Sequence, residues 1–155
     1  MKEITVLVAD WELQCCGDPF KVGDQVDWSI TPWTFPLPPV PEIKSIDYYY
    51  DNHSNRDVLE MKGIVTDIYS VYEIYELDQK ENVWRPVSGK LEKHNGEANG
   101  WESNQGEYRF SSYYVLVAAI AAREHDIDRT ENKTQDQFSA ELRKELNLAG
   151  IDNLK

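Results

Sequence analysis

The amino-acid sequence predicts a mainly β fold: a small antiparallel β-barrel or curled sheet of the OB or SH3 type, followed by a C-terminal α-helix. Short runs rich in valine, isoleucine and tyrosine are typical of strands. Glycine, proline and asparagine separate these runs, as expected for turns. A hydrophobic repeat with the period of a helix occurs only near the C-terminus. A chain of 155 residues is most simply one domain that buries a core of its own.

The first part of the chain is predicted to form two strands joined by a loop. Residues 4–8 are apolar or β-branched, which predicts a strand that is buried on both faces. Residues 10–23 are expected to form the loop, because Gly17-Asp18-Pro19 is a turn signal. The second strand is predicted from three alternating apolar residues, namely Val26, Trp28 and Ile30.

The segment from Thr31 to Pro41 contains five prolines, so it cannot be a helix interior or a central strand. We expect an extended surface connection. Its apolar side chains Trp33, Phe35 and Leu37 would cover one end of the barrel or bind a partner. Residues 43–50 are strand-like again.

The strongest β segment runs from Leu59 to Leu77, where tyrosine, valine and isoleucine dominate both faces. A strand of this length must bend or be divided, and Gly63 or Ser70 is the expected bend point. Residues 78–107 are polar. They are predicted to contain two short edge strands, at 83–87 and 89–92.

The rest of the chain is predicted to be an exposed loop, a strand and a helix. The loop covers residues 94–106 and the strand covers residues 108–121. Thr134 and Gln137 match a capping box, and one helical stripe follows it, formed by Phe138, Leu142 and Leu146. The predicted organisation is therefore a β domain over residues 1–122, a polar linker over 123–134, and a helix over 135–150 that packs on the same domain.

The charge balance restricts the possible partners. The chain has 16 basic and 28 acidic residues and a net charge of −12. Nucleic acid and membrane partners are not expected, since both are anionic and the lysines and arginines are interleaved with acids. A basic protein partner is electrostatically allowed. The sequence has neither a signal-peptide core nor a membrane-spanning run, so a cytoplasmic location with reduced cysteines is expected.

The adjacent cysteines Cys15 and Cys16 allow several interpretations. Structural zinc sites use cysteines two to four residues apart together with a second pair, which this chain lacks. A metal site, with zinc as the possible ion, would need Cys15, Cys16 and His53. Neither a disulfide between neighbours nor a cysteine nucleophile activated by His53 is favoured. We expect instead that one cysteine is buried beside Trp11 and Trp28.

Aromatic residues are dense in the first third of the chain. They suit a stacking platform of the OB type, but the acidic charge contradicts nucleic-acid binding. Many of them are expected to fill the core. The predicted partner-binding residues are Trp11, Phe20, Trp33 and Phe35.

The pattern W-E-x-x-C-C-G-x-P-F-x-V-G-D-x-V-x-W at residues 11–28 resembles the opening motif of an uncharacterised family of small bacterial proteins, a domain of unknown function. The segment from Gly63 to Ile68 is consistent with it, and the resemblance covers about the first 120 residues. It implies no activity, cofactor or partner.

The sequence therefore favours a cytoplasmic binding or interaction module without catalytic activity, whose partner is an unidentified protein or peptide. Two alternatives remain. One is a metal-binding protein that uses the two cysteines with a histidine. The other is an acidic inhibitor or immunity-type protein that binds a basic partner.

Overall fold

A computed structural model describes residues 2–52 and 58–125, and these residues form a mainly β structure, as predicted. The described part contains the following strands and one short helix: β1 (Lys2–Ala9), α1 (Asp10–Cys15), β2 (Gln25–Pro32), β3 (Tyr48–Tyr50), β4 (Val58–Asp78), β5 (Val83–Lys93) and β6 (Arg109–His125). Strand β6 continues three residues beyond the predicted domain boundary at residue 122. The predicted helix over 135–150 lies outside the described residues.

The strands form one sheet in the order β2-β3-β1-β6-β4-β5, and β2 also pairs with β4. The pairing therefore passes through five strands and returns to its start, while β5 extends from β4. Strands β1 and β3 are parallel, and the other pairs are antiparallel.

Strand β4 is long because it pairs with three other strands. One of its edges pairs with β6 over residues 58–73, and the other edge pairs first with β2, over residues 59–64, and then with β5, over residues 69–78. The register with β6 shifts at three places, one of them between Lys62 and Gly63. The irregularity predicted at Gly63 is thus present, but the strand remains continuous, since bulges let a long strand bend without breaking.

The inner face of the sheet carries the main core. Alternation places Val6 and Val8 of β1 inward, where both are fully buried. Burial of each such side chain contributes about 1.5–3 kcal/mol relative to exposure. The other large, fully buried side chains of this core include Phe20, Ile30, Met61, Ile68, Tyr113, Val115 and Val117.

A second, smaller core lies on the outer face of the sheet, beneath residues 33–47, which we call the proline strap. Its Val40, Ile43 and Ile46 are buried with Val71 of β4 and pack against Leu7 and Tyr114. Leu7 belongs to the outer face because it lies between the inward-facing Val6 and Val8. The strap is therefore a cover on the sheet.

Hydrogen bonds fix the C-terminal end of this cover to the sheet. The Tyr114 hydroxyl donates to the carbonyl oxygen of Ser45 at 2.9 Å. The Thr5 amide donates to a carboxylate oxygen of Asp47 at 2.9 Å. The strand predicted over residues 43–50 is consequently wrong for residues 43–47, and only Tyr48–Tyr50 forms a strand.

Two segments that were predicted to be loops contain regular or buried structure. Residues 10–15 form helix α1 within the loop predicted over 10–23. Residues 94–106 were predicted to be exposed, but Ala98 is fully buried and exchanges two backbone hydrogen bonds with Phe20, at 2.7 and 3.2 Å. This segment closes one end of the sheet together with α1.

Candidate interaction site

Helix α1 ends in the cysteine turn, which we define as Cys15, Cys16 and Gly17. The amides of Cys16 and Gly17 both donate to the carbonyl oxygen of Glu12, at 3.0 and 2.9 Å, and so end the helix. The two cysteines are exposed, and a disulfide joins them. The expectation that one cysteine is buried is therefore wrong, because the turn projects from the end of α1 instead of packing into the core, and the disulfide differs from the expected reduced thiols.

The cysteine turn is attached to the chain that follows β3. Asn52 donates its side-chain amide to the carbonyl oxygen of Cys16 at 3.1 Å. The backbone amide of Asn52 also donates to a carboxylate oxygen of Glu12 at 3.3 Å, and Glu12 is only 2% exposed. Burial raises the pKa of Tyr50, and the nearby Glu12 and Asp18 raise it further, so this tyrosine is neutral beside the turn.

The structure does not decide the predicted metal site. His53 lies outside the described residues, so its distance from Cys15 and Cys16 is not defined. Across residues 2–52 and 58–125, no group of three or more histidine, cysteine, aspartate or glutamate side chains could hold a metal ion. Zinc binding by these three residues stays a prediction.

A second histidine, His94, belongs to a buried polar network. One ring nitrogen, Nε2, lies 2.9 Å from the carbonyl oxygen of Glu97, and the other, Nδ1, lies 3.2 Å from the Ser70 hydroxyl. Because a carbonyl only accepts, we assign a proton to Nε2. Ser70 is 3% exposed, so its hydroxyl is directed into the protein.

Tyr113 extends this network to the neighbouring loop. Its hydroxyl donates to Glu102 at 2.6 Å and accepts the Gly100 amide at 3.0 Å. The network therefore attaches residues 94–102 to β4 and β6, which is a structural role. The sequence contained no periodic signal for it, because its polar residues are separated by tens of positions in the chain.

The structure brings together two of the four predicted partner-binding residues. Trp33 and Phe35 form an aromatic patch with Tyr49, with ring centroids 5.4 to 6.1 Å apart. Phe35 is 56% exposed. Trp11 is also exposed but lies on α1, whereas Phe20 is 2% exposed and packs on Trp28 in the main core. Phe20 cannot contact a partner in this structure.

Sequence analysis missed a further exposed surface at the end of β4 and β5. The pairing of β4 with β6 ends at Glu73, so in the described structure residues 74–78 pair only with β5. We call this two-stranded hairpin, residues 74–88, the ribbon. Leu77 lies directly opposite Trp84, and Tyr75 lies opposite Pro86.

Alternation gives the ribbon two different faces. Tyr75, Leu77, Trp84 and Pro86 share one face, which we call the apolar face. The other face carries Glu76, the ion pair between Arg85 and Asp78, whose atoms lie 3.1 Å apart, and one exposed valine, Val83. An exposed face of large apolar side chains typically marks an interaction surface.

The fold and this surface define the class of protein: an acidic, mainly β domain with an exposed apolar ribbon. The chain belongs to a family described as a family of unknown function (DUF6578), whose model matches residues 2–119. No curated protein and no solved structure matches the chain. The predicted resemblance is thus confirmed as membership of an uncharacterised family, while the motif and the bacterial origin stay predictions. Within residues 2–52 and 58–125, no helix is long and apolar enough to cross a membrane.

Proposed function

We propose that the protein is a non-enzymatic binding module whose partner is a basic protein that contacts the apolar face of the ribbon. The observation that carries this proposal is the pair Leu77 and Trp84, which are directly opposite each other and 41% and 66% exposed. A two-stranded hairpin is marginally stable alone in water. Association would remove its apolar face from water and support the hairpin.

The charge of the chain supports a basic partner. A net charge of −12 attracts cationic proteins over several ångströms and repels a second copy of the same chain. The proposal thus includes the inhibitor alternative as a special case, in which the basic partner is an enzyme or toxin. The aromatic patch of Trp33, Phe35 and Tyr49 is a second contact area for the same partner.

We further infer that the five strands paired in a cycle close as a small barrel of the OB type. The order of its strands along the chain is permuted, so that β1 takes the place of the third strand of an OB barrel. Three features support this inference: the cyclic pairing, the single parallel pair of β1 with β3, and a short helix directly after β1. OB barrels bind oligonucleotides on their second and third strands, which correspond here to β6 and β1.

In this protein the proline strap covers the outer face of those two strands. Val40, Ile43 and Ile46 pack there against Leu7 of β1 and Tyr114 of β6. An oligonucleotide would have to displace this second core and would also meet an acidic surface. This arrangement favours a protein partner over an oligonucleotide. Because the strap covers the usual binding strands, it also favours the ribbon as the contact surface.

The test compares two tryptophans with almost equal exposure. Trp84 on the ribbon is 66% exposed, and Trp101 in the segment between β5 and β6 is 69% exposed. The immobilised full chain and its Trp84→Ser and Trp101→Ser variants are each incubated with cell extract, and the captured proteins are identified at low and high salt. We expect a basic protein that is retained by the wild type and by Trp101→Ser, lost with Trp84→Ser, and weakened by salt.

Two results would overturn the proposal. One is equal capture by both tryptophan variants, which would separate binding from the ribbon. The other is a wild-type dimer in analytical ultracentrifugation that Trp84→Ser converts to monomer, since the apolar face would then belong to a second copy. Circular dichroism of each variant confirms that the sheet is intact.

A further inference from the structure

We propose that the Cys15–Cys16 pair is a reversible thiol–disulfide exchange site whose substrate is a dithiol, either a small molecule or a protein with two neighbouring thiols. This inference is independent of the proposed function. It starts from three observations on the cysteine turn: the two residues are adjacent, both are exposed, and a disulfide joins them.

A structural role does not explain this disulfide. A cross-link stabilises a protein mainly by closing a loop in the unfolded chain, and the effect grows with the length of that loop. The sequence separation of Cys15 and Cys16 is one, so the bond restrains only the peptide unit between them and closes no long loop in the unfolded chain. The described residues contain no other cysteine with which either could form a longer loop. The bond is therefore better explained by its chemistry.

The location of the pair makes that chemistry accessible. Both cysteines lie on the solvent side of the turn at the end of α1, so an external thiolate can approach either sulfur. Exchange requires such access, because the attacking thiolate must contact the sulfur that it bonds to. The exchange is reversible, so the disulfide form of the same substrate would oxidise the reduced pair.

The exchange step balances without a further co-reactant. One thiolate of the dithiol bonds to one cysteine sulfur, the disulfide bond breaks, and the other cysteine leaves as a thiolate that takes up a proton. The second thiolate of the dithiol then attacks the mixed disulfide and releases the first cysteine, which is also protonated. The pair gains two electrons and two protons, and the dithiol becomes a disulfide.

The hydrogen bonds of the cysteine turn indicate which neighbouring residues a change of its redox state would affect. The carbonyl of Cys16 accepts the side-chain amide of Asn52, and Asn52 also donates its backbone amide to Glu12. A disulfide between neighbouring residues restricts the backbone that presents this carbonyl. Reduction therefore changes the link between the cysteine turn and the end of β3, at Tyr50 to Asn52.

The experiment uses the full chain purified without reductant. Thiols are counted with a chromogenic disulfide reagent under native conditions, and the intact mass is measured in parallel. We expect no titratable thiol at first, two after treatment with dithiothreitol and desalting, and none again after oxidised glutathione. The reoxidised wild type should be monomeric, free of glutathione and lighter by two hydrogens than the reduced form. Cys15→Ser and Cys16→Ser should each retain one glutathione as a mixed disulfide, because they lack the second thiol that would displace it.

Two results would overturn the exchange site. One is a reduced wild-type protein that retains bound glutathione after oxidised glutathione, as the serine variants do, and does not form the Cys15–Cys16 disulfide. The other is a disulfide that dithiothreitol reduces only after the protein is denatured. Two-dimensional nitrogen–proton NMR spectra test whether the redox state of the cysteine turn affects the end of β3. Reduction should shift the amide signals of residues 12–17 and 50–52. In Asn52→Ala the shifts at Tyr50 and Asp51 should disappear, although the two thiols are still oxidised and reduced reversibly. Unchanged shifts at these two residues in Asn52→Ala would contradict the coupling.

Discussion

Leu77 of β4 and Trp84 of β5 are directly opposite in the antiparallel register, and both are exposed to solvent. Cross-strand pairs of this kind usually stabilise a sheet by packing against each other and against a covering layer. Here the strap lies over the preceding part of the outer face, where Val40 packs with Val71. The two side chains therefore form a large exposed apolar surface. Their contribution to the stability of the ribbon comes from the packing of Leu77 and Trp84 on each other.

The first prediction concerns the ribbon. Replacing both Leu77 and Trp84 by threonine should lower the free energy of unfolding by less than about 1 kcal/mol, because cross-strand pairs contribute roughly 0.2–1 kcal/mol. The same variant should bind less of a dye that fluoresces on apolar surfaces. Urea unfolding and dye titration measure the two effects. A loss of several kcal/mol would mean that the ribbon is part of the cooperative core.

The second prediction concerns the close approach of β4 to β6. A Cβ atom on Gly63 would lie 2.5 Å from Val117 Cγ1 and 2.8 Å from the Ala118 carbonyl oxygen. Gly63→Ala should therefore destabilise the protein by about 1–3 kcal/mol, the usual cost of overpacking. Gly96→Ala isolates the other cost of replacing a glycine: its positive φ of 85° strains an alanine, but nothing lies within 4 Å of the added atom. Chemical denaturation measures both variants, and an unchanged free energy of unfolding for Gly63→Ala would contradict the steric argument.

The strands could be predicted because their signal is local. Alternating apolar residues at Val26, Trp28 and Ile30 are buried along one face of β2, as the pattern requires. Helix α1 could not be predicted in the same way, since its six residues do not complete two turns and give no helical repeat. The buried residues of the strap, Val40, Ile43 and Ile46, recur every third position, which does not fit a strand.

The candidate sites depended on information that the sequence does not contain locally. Leu77 and Trp84 become neighbours only once the register of β4 with β5 is known. Phe20 is buried because it pairs with Ala98, a residue in a segment with no apolar pattern. Whether Cys15 and Cys16 face solvent or core is decided by the direction in which the turn leaves α1. Residue type alone therefore placed Trp33 and Phe35 together but misplaced Phe20 and the one cysteine that was expected in the core.

The third prediction concerns the hydroxyl of Tyr113. This buried group satisfies the Gly100 amide and donates to Glu102, so removing it leaves a donor and an acceptor without their partner. Tyr113→Phe should lower the free energy of unfolding by about 1–3 kcal/mol. Tyr114→Phe is the matched control, because its hydroxyl donates to the Ser45 carbonyl at a partly exposed site, where water can replace the lost group. The proposed structural role of the network fails if thermal unfolding ranks the two variants in the opposite order.

The fourth prediction is a loss of stability in alkali. Burial, with a contribution from the charge of Glu73, raises the pKa of Tyr75 to about 12, from an ordinary value of 10.0. The folded state therefore holds this proton more tightly than the unfolded chain does. The resulting stabilisation is complete below pH 10 and is lost as the pH rises from 10 to about 12. Tyr75→Phe should weaken this loss and remove one late-ionising group from the ultraviolet titration at high pH. An unchanged titration would contradict the assignment.

The fifth prediction concerns Glu73, which is 7% exposed at the point where β4 leaves β6. Burial raises the pKa of its carboxyl, against hydrogen bonds from Ser111 and Tyr75 that lower it. Because the folded pKa lies above the unfolded value, the stabilising contribution is present below pH 4.5 and is lost as the pH rises through the folded pKa. Ionised Glu73 thus reduces stability at pH 7.

Glu73→Gln keeps the shape and an oxygen acceptor without the charge, so it should be more stable than the wild type at pH 7 and should approach it at pH 4. Denaturation at both pH values measures this difference. Glu76→Gln, at an exposed position on the same strand, measures the effect of simply removing one negative charge from an acidic protein. If Glu76→Gln gives the same gain at pH 7, general charge repulsion explains the effect, and the burial of Glu73 does not.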